Sequence, residues 1–336
     1  MHSPDVVIAG AGITGLTCAL ELQECGLQVV VVERGSAGRE ASWAAAGMLA
    51  AHDPSNPRQL SPMADLSVAL YPALLDRIET LTGLRVPFET HWTLEAAAGW
   101  RHHCAMLPAL QGAGYRRLPE TSVDPRKLVP ALRAAATAAG VVVIENSPVR
   151  AAYQSGASIN VRVPDGTIHA GTFLDCSGAW SAAVSPAKGQ MLRVHAPGAL
   201  ASGTVGNVVI RTKGVYLVPR LDGSVVVGAT VEDAQFDRSV YEPDLRHLRA
   251  EAADLLPALA NAPELASWAG LRPDTPDHLP ILGQTDARAF VAAGHFRNGI
   301  LLAPATAHLM MQLMLGMETS VELTAFRPDR FDTVVS

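Results

Sequence analysis

The fold is decided by one stretch near the beginning of the chain, Val6-Val7-Ile8-Ala9-Gly10-Ala11-Gly12-Ile13-Thr14-Gly15. Its four apolar residues predict a buried parallel strand, and the glycines that follow are spaced GxGxxG. Gly10 allows a tight turn, Gly12 lets the backbone approach a pyrophosphate, and Gly15 lets a helix pack closely on the strand. The N-terminal N–H groups of that helix then face the phosphates. The stretch predicts the opening of a βαβ dinucleotide-binding unit.

The residues that follow continue this unit. We expect a helix over residues 15–25 and a second buried strand over 27–33, ending at Glu33, 18 residues beyond Gly15. A carboxylate at this place can bind ribose hydroxyls. Glycine turns often satisfy GxGxxG without a ligand, and Glu33 could be an ordinary strand-end charge, but that interpretation leaves the three glycines unexplained. The complete order of strand, turn, helix, strand and carboxylate favours nucleotide binding.

Composition narrows the function classes. The chain has 336 residues, 49% of them hydrophobic and 17% charged, which indicates a globular protein of two domains. A net charge of −6 disfavours a nucleic-acid partner, which needs a concentrated basic face. The four cysteines, Cys18, Cys25, Cys104 and Cys176, form no metal-like spacing. We therefore expect reduced thiols, no metal and a cytoplasmic location, and the sequence leaves a homo-oligomer open.

The most apolar stretch, residues 299–316, is interrupted by Pro304, His308 and Gln312. A buried helix fits this pattern better than a membrane span, so we expect no stable membrane insertion.

The rest of the pattern predicts an α/β (α+β) fold. Helical periodicity is found over residues 63–81 and 130–139, and a hairpin is predicted over 158–170. Further strands are expected at 172–176, within 208–230 and at 289–293, followed by a helix over 305–315. We predict a discontinuous Rossmann-like nucleotide domain (1–84, 121–184 and 270–336) with an inserted substrate domain built on a mixed or antiparallel β-sheet (85–120 and 185–269).

Three other segments favour FAD over a nicotinamide cofactor, and no second GxGxxG is present for a separate nicotinamide nucleotide. Residues 42–48 (SWAAAGM) are small and suit close backbone approach, although they also read as an Ala-rich helix start. Residues 177–181 (SGAWS) follow a strand. Residues 294–301 (GHFRNGIL) form a turn before the last helix, whose positive N-terminus could stabilise an anionic reduced flavin.

At this point the chain resembles the D-amino-acid-oxidase-type FAD-dependent oxidoreductases, and among them the glycine-oxidising enzymes of thiamine thiazole synthesis. The resemblance is carried by AAGML at 45–49, VYLVPR at 215–220, VGAT at 227–230, WAGLRP at 268–273 and GHFRNGILLAPAT at 294–306. It implies non-covalent FAD and oxidation of glycine or a similar small amino acid or amine to the imine, which yields a 2-oxo acid and ammonia. Dioxygen would reoxidise the flavin and give hydrogen peroxide.

The resemblance also implies roles for individual residues. Arg272 would bind the substrate carboxylate with Tyr216 as its hydrogen-bonding partner, and Arg297 would lie near the flavin at the mouth of the site. The implied FAD contacts are Gly10, Gly12, Ile13, Thr14, Gly15, Glu33, Arg34, Ala41, Ser42, Ala46, Gly47, Met48, Val149, Gly178, His295, Phe296, Arg297, Asn298, Gly299, Ile300 and Leu301. A planar guanidinium suits bidentate carboxylate binding. From the residues alone, Arg272 could equally be a structural ion-pair partner, and Tyr216 a core residue.

Two features leave the substrate open. The segments 115–124 and 181–189 are shorter than is usual in the family, and Gly214 and Val231 stand where relatives can carry larger residues, which predicts acceptance of amines larger than glycine. No side chain is expected to act as an acid or base, because hydride transfer depends mainly on substrate positioning. The alternatives are a D-amino-acid or sarcosine-type dehydrogenase that passes electrons to a quinone, and a non-catalytic nucleotide-binding protein.

Overall fold

The computed structural model of the protein describes residues 3–96, 115–202 and 206–331. Cys104 and residues 97–114 of the predicted segment 85–120 lie outside the described residues. The helices are α1 (Ile13–Glu24), α2 (Ala41–Ala44), α3 (Ser61–Thr82), α4 (Pro125–Ala138), α5 (Glu242–Leu255) and α6 (Gly299–Met314). The strands are β1 (Val6–Ala9), β2 (Val29–Val32), β3 (Phe88–Thr90), β4 (Trp92–Ala96), β5 (Tyr115–Leu118), β6 (Ser122–Val123), β7 (Val142–Ile144), β8 (Ala151–Ser155), β9 (Ser158–Val163), β10 (Gly166–Ala170), β11 (Thr172–Asp175), β12 (Ser185–His195), β13 (Ala201–Ser202), β14 (Gly206–Arg211), β15 (Tyr216–Pro219), β16 (Ser224–Gly228), β17 (Glu264–Asp274), β18 (Ile281–Asp286) and β19 (Ala289–Ala293).

A six-stranded sheet with the order β18-β19-β11-β1-β2-β7 forms the first layer. Its strands are parallel except for β18 at one edge. Because side chains alternate along a strand, Val6 and Ile8 pack on the helices α1, α3, α4 and α6, whereas Val7 and Val32 pack on the small sheet β10-β9-β8 on the opposite face. This arrangement is the predicted Rossmann-like layer, with both faces of the parallel sheet covered.

An eight-stranded mixed sheet forms the second layer. Seven strands follow the order β17-β12-β16-β15-β14-β4-β5, and β13 pairs with β14. The two long strands β12 and β17 run antiparallel, with Gly189 opposite Gly270 and Ala187 opposite Arg272. One face packs on α5 through residues such as Leu192. The other face carries Trp268 toward the segment around α2, and so toward the first sheet.

Several helices differ from the sequence expectations. α1 begins at Ile13 instead of residue 15, and α4 begins at Pro125, where the Asp124 carboxylate accepts a hydrogen bond from the Arg126 N–H (3.0 Å). α6 begins at Gly299 instead of residue 305, so Pro304 lies inside it. The helix α5 was not predicted, although the spacing of its buried Leu245, Leu248 and Ala252 is helical.

Within the described ranges, no helix combines the length and the apolar character needed to cross a bilayer. Cys18, Cys25 and Cys176 carry no disulfide.

Candidate active site

The glycine turn after β1 is closely packed. Gly10 has a positive φ of 99°, and a Cβ there would lie 2.4 Å from the Cys176 carbonyl oxygen. A Cβ on Gly15 would lie 2.0 Å from the Gly10 carbonyl oxygen, so Gly15 serves the close helix–strand packing that the spacing predicts. At the start of α1 the Ile13 N–H donates to Ser42 Oγ (3.0 Å). Gly10 and Gly15 therefore occupy places that a larger residue would distort.

A cavity of about 1130 Å³ opens from this turn. Both sheets contribute to its wall, because it is lined by the turn and the end of β2 as well as by parts of β12, β15 and β17. Nearly all of the predicted cofactor residues line it. The exceptions are Gly15, whose role is packing, and Leu301, whose side chain lies in the helical core and whose carbonyl accepts a hydrogen bond from Ser67 Oγ (2.6 Å).

Glu33 and Arg34 lie at the end of β2. The buried Glu33 carboxylate accepts hydrogen bonds from Ala11 N–H (Oε2, 2.8 Å) and Gly35 N–H (Oε1, 2.9 Å). These two bonds orient the carboxylate and leave each oxygen with acceptor capacity for a hydroxyl group. The Arg34 guanidinium lies 3.4 Å from the centroid of the Trp180 ring. Together with Val149, these residues form the part of the wall that suits an adenosine group.

The segment 41–48 forms another part of the wall, and the second sheet holds it in place. Trp268 Nε1 donates to the Ala44 carbonyl (3.0 Å), and Arg220 Nη2 donates to the Ala46 carbonyl (2.6 Å). Gly47 has a positive φ of 79°, and a Cβ there would lie 2.0 Å from the Val123 carbonyl oxygen. The small residues predicted for close backbone approach are thus fixed against the cavity.

The N-terminus of α6 faces the cavity through Asn298, Gly299 and Ile300. His295 just before it is buried, and its Nε2 lies 2.9 Å from Thr306 Oγ1. Burial lowers the pKa of His295 to about 4, so the imidazole is neutral at pH 7. His295 therefore adds no positive charge to this wall, and the positive end of the α6 dipole faces the cavity.

Arg272 and Tyr216 lie side by side in the wall of the same cavity. Arg272 Nη1 donates to the carbonyls of Lys188 (3.2 Å) and Thr230 (3.1 Å). Burial raises the pKa of Tyr216, although the Arg272 guanidinium acts to lower it. The two residues that were predicted to bind a substrate carboxylate are therefore neighbours in the cavity wall.

Two strand glycines make room for this pair, and sequence reasoning missed them. A Cβ on Gly189 would lie 2.3 Å from Arg272 Nη1, and a Cβ on Gly228 would lie 2.6 Å from the Tyr216 hydroxyl. Glycine inside a strand often marks such a close approach, which is the signal that could have identified them.

Arg297 lines the cavity but is paired. Its Nη2 forms a close ion pair with Asp53, whose carboxylate also lies 3.6 Å from Arg211 Nε. Arg211 Nη1 in turn donates to Glu120 (2.8 Å). Burial alone would raise the pKa of Asp53, but Arg211, Arg297 and hydrogen bonds from Ser55 outweigh it and lower that pKa. This charge network was not predicted, because its members lie far apart in the sequence.

Gly214 does not enlarge the cavity as its sequence position suggests. Its backbone lines the cavity, but a Cβ there would point at the carboxylate of Glu251 on α5 (2.7 Å), and Glu251 is not a lining residue. Val231 does line the cavity, and its side chain is largely exposed.

The parallel sheet, its glycine turn and the cavity between two sheets define a dinucleotide-binding enzyme of the two-sheet flavoprotein class. The family model of FAD dependent oxidoreductases (DAO) matches residues 5–313, and the chain belongs to this family. FAD is thus its cofactor, and the wall described above fits a dinucleotide, because it includes closely packed glycines, a carboxylate suited to ribose hydroxyls and the positive end of α6.

Individual relatives agree with this assignment. A glycine oxidase from Pseudomonas aeruginosa is 34% identical, and the alignment covers 97% of this chain and 99% of the relative. The bifunctional protein ThiO/ThiG from Synechocystis sp. is also 34% identical, with 99% of this chain and 55% of the relative covered. The crystal structure of glycine oxidase from Geobacillus kaustophilus superposes with a TM-score of 0.90 at 32% identity, covering 98% of this chain and 99% of that one.

Proposed function

We propose that the protein oxidises glycine, or a similarly small amino acid or amine, to the imine. The observation that carries the proposal is the Arg272–Tyr216 pair, which lies in the same cavity as the glycine turn. The glycine oxidases among the relatives support it. FAD, held without a covalent bond, would accept the hydride from the substrate carbon, and dioxygen would then be reduced to hydrogen peroxide. The imine would hydrolyse to a 2-oxo acid and ammonia.

The residues of the chain would contribute binding and orientation. The Arg272 guanidinium, fixed along one edge by two carbonyls, would bind the substrate carboxylate, and the Tyr216 hydroxyl would add a hydrogen bond. Anchoring one end of so small a molecule limits where its α-carbon can lie. The positive end of α6 would favour negative charge that develops on the cofactor. No proton transfer by a side chain is needed, since a free amine loses a hydride directly.

The domain division also remains a proposal. The boundary between 269 and 270 falls inside β17, which is long enough to carry Trp268 in the second sheet and Arg272 in the cavity wall. Supply of the thiazole pathway of thiamine synthesis is proposed from the likeness to the glycine oxidases and to ThiO/ThiG. A cytoplasmic location and a homo-oligomeric state stay predictions.

An anaerobic bleaching experiment tests the function. The purified yellow protein should lose its flavin absorbance when glycine, sarcosine, D-alanine or D-proline is added, and the productive substrates should identify the preferred amine. Admitting dioxygen should restore the colour and release hydrogen peroxide. Recovery of the colour only with a quinone would support the dehydrogenase alternative. A flavin that none of the amines bleaches would contradict amine oxidation altogether.

A further inference from the structure

Lys188 on β12 is fully buried, with 0% of its side chain exposed. Its Nζ lies 2.7 Å from Asp237 Oδ2 and 3.4 Å from Glu232 Oε2, and 4.3 Å from the centroid of the Tyr241 ring. Lysine is almost never fully buried unless it is paired. Here two carboxylates and an aromatic face surround the ammonium, so breaking these pairs would leave a buried charge without compensation.

All three partners of the ammonium lie in one irregular segment, residues 230–241, which connects β16 to α5 and which we call the strap. The strap also pairs with β12 through its backbone, because Lys188 N–H donates to the Glu232 carbonyl (3.0 Å) and Glu232 N–H donates to the Lys188 carbonyl (2.9 Å). Gln190 adds hydrogen bonds from its Nε2 to Glu232 (2.9 Å) and from Tyr241 N–H to its Oε1 (2.6 Å). The strap is thus held to β12 by polar contacts at Lys188 and at Gln190.

These contacts adjoin the backbone carbonyls to which Arg272 is bonded. The two carbonyls that receive hydrogen bonds from Arg272 Nη1 belong to Lys188 and to Thr230, the first residue of the strap. Val231, the next residue of the strap, lines the cavity, whereas Lys188 does not. A shift of the strap relative to β12 would therefore separate the two carbonyls that orient the guanidinium, and would move Val231 at the same time.

We propose that Lys188, through its ion pairs with Asp237 and Glu232, is a positioning residue for the carboxylate-binding Arg272. The ion pairs hold the strap on β12, and the two carbonyls then fix one edge of the guanidinium while its other edge faces the substrate. This inference rests on the proposed function, in which Arg272 binds a carboxylate. Bidentate binding is sensitive to the direction of the guanidinium plane, so a small displacement of the anchor weakens carboxylate binding without removing any group that touches the ligand.

The test compares carboxylate binding with amine oxidation in the FAD-loaded enzyme. In Lys188→Met, the dissociation constant for acetate, followed by the change in the flavin spectrum, should rise about tenfold or more, and the KM for glycine should rise with it. The KM for ethylamine, which has no carboxylate, and the FAD content should stay near wild type. Asp237→Asn removes the 2.7 Å pair from a partly exposed position, so it should fold and should show the same split in weaker form.

Lys127→Met is the matched control. Lys127 is likewise paired with a carboxylate, that of Glu89 (2.9 Å), but neither residue lines the cavity, so acetate binding should be unchanged. Wild-type acetate affinity in both Lys188→Met and Asp237→Asn would overturn the inference and leave the proposed function intact. A parallel loss for glycine and ethylamine together with a lower melting temperature would also overturn it, because that result indicates a merely structural role. A wild-type enzyme that binds no acetate would refute the proposed function, and the inference with it.

Discussion

Arg272 differs from Arg211 and Arg297, two other arginines of the cavity wall, in the groups that it contacts. Arg211 and Arg297 are each paired with carboxylates, which offset their charge. Arg272 has no carboxylate within ion-pair distance among the described residues, and its Nη1 is bonded to backbone carbonyls instead. Carbonyl groups orient a guanidinium without neutralising it. Of these three arginines, Arg272 is therefore the one whose charge is best available to a substrate carboxylate.

Arg272→Ala should leave FAD bound, because the nucleotide-binding part of the wall lies elsewhere. The apparent affinity for glycine should fall by about 2–5 kcal/mol, the usual loss when one partner of a buried charge pair is truncated. Arg272→Lys should recover only part of this loss, since an ammonium cannot form two parallel hydrogen bonds. Steady-state kinetics with glycine and ethylamine would measure the effect, with ethylamine as the internal control. Unchanged glycine kinetics in Arg272→Ala would contradict the placement of the substrate site.

His295 predicts a pH dependence of stability. Its pKa is lowered from 6.5 to about 4 by burial, so below about pH 6.5 the unfolded chain binds a proton that the folded chain does not. Stability should therefore fall as the pH decreases from 6.5 toward 4, with a contribution of roughly 2 kcal/mol between pH 7 and pH 5. Urea unfolding of wild type and His295→Gln at both pH values would test this. The variant should lose less stability on acidification, and equal losses would show that His295 is not the responsible group.

The role of a single residue can be predicted when a motif in the nearby sequence sets it. It cannot be predicted when it depends on residues that are distant in the sequence. The spacing of Gly10, Gly12 and Gly15 carries its own geometry, and the structure shows the tight turn at Gly10 and the close packing at Gly15 that the spacing predicts. The roles of Gly189 and Asp53 depend on which strand or loop lies opposite. Arg272 approaches Gly189 only because β12 pairs with β17, and no periodicity within either strand shows that pairing.

The start of helix α6 also depends on contacts that the local sequence does not show. The sequence predicts a start at residue 305, just after Pro304, yet Pro304 lies in the helix interior, where proline is disfavoured. Pro304 has no N–H to donate to the Ile300 carbonyl, and the Tyr71 hydroxyl of α3 donates to it instead (2.5 Å). Ser67, one turn earlier on α3, accepts from Ala305 N–H (3.1 Å) and donates to the Leu301 carbonyl (2.6 Å). A neighbouring helix therefore permits a proline that the sequence alone argues against.

Tyr71→Phe should consequently destabilise the protein. The change removes one hydroxyl from a fully buried site and leaves the Ile300 carbonyl without its donor, a loss of about 1–3 kcal/mol in the free energy of unfolding. Tyr153→Phe on β8 is the matched control, because that side chain is exposed and the same atom is removed. Denaturant unfolding of the FAD-loaded variants would give both values. Equal stability of the two variants would show that the carbonyl does not depend on Tyr71.

At the scale of the whole molecule, the cavity joins two sheets that the sequence predicts separately. Alternating and continuous apolar patterns indicate a parallel layer and a mixed layer, and both exist. The order of the second sheet was not predictable, since β14 pairs in parallel with β4 from a distant part of the chain. The link between the layers depends on Trp268 and Arg220, whose side chains donate to backbone carbonyls in the segment 41–48. These contacts follow from the packing of the sheets and leave no pattern in the sequence.

Because both sheets line the cavity, binding of the cofactor should stabilise the folded chain against unfolding. A ligand that binds the folded chain stabilises it by RT ln(1 + [L]/Kd), about 4 kcal/mol at a thousandfold excess over Kd. FAD can use both the flavin part of the wall and the part formed by Glu33, Arg34 and Val149, whereas FMN has no adenosine to place there. FAD should therefore raise the melting temperature of the apoprotein far more than FMN at the same concentration. Glu33→Gln should reduce the increase in melting temperature that FAD causes, because the amide has one acceptor oxygen where the carboxylate has two. Heating should then release FAD into the supernatant. Equal shifts with FAD and FMN, or flavin that remains on the precipitated protein, would contradict non-covalent dinucleotide binding across the two sheets.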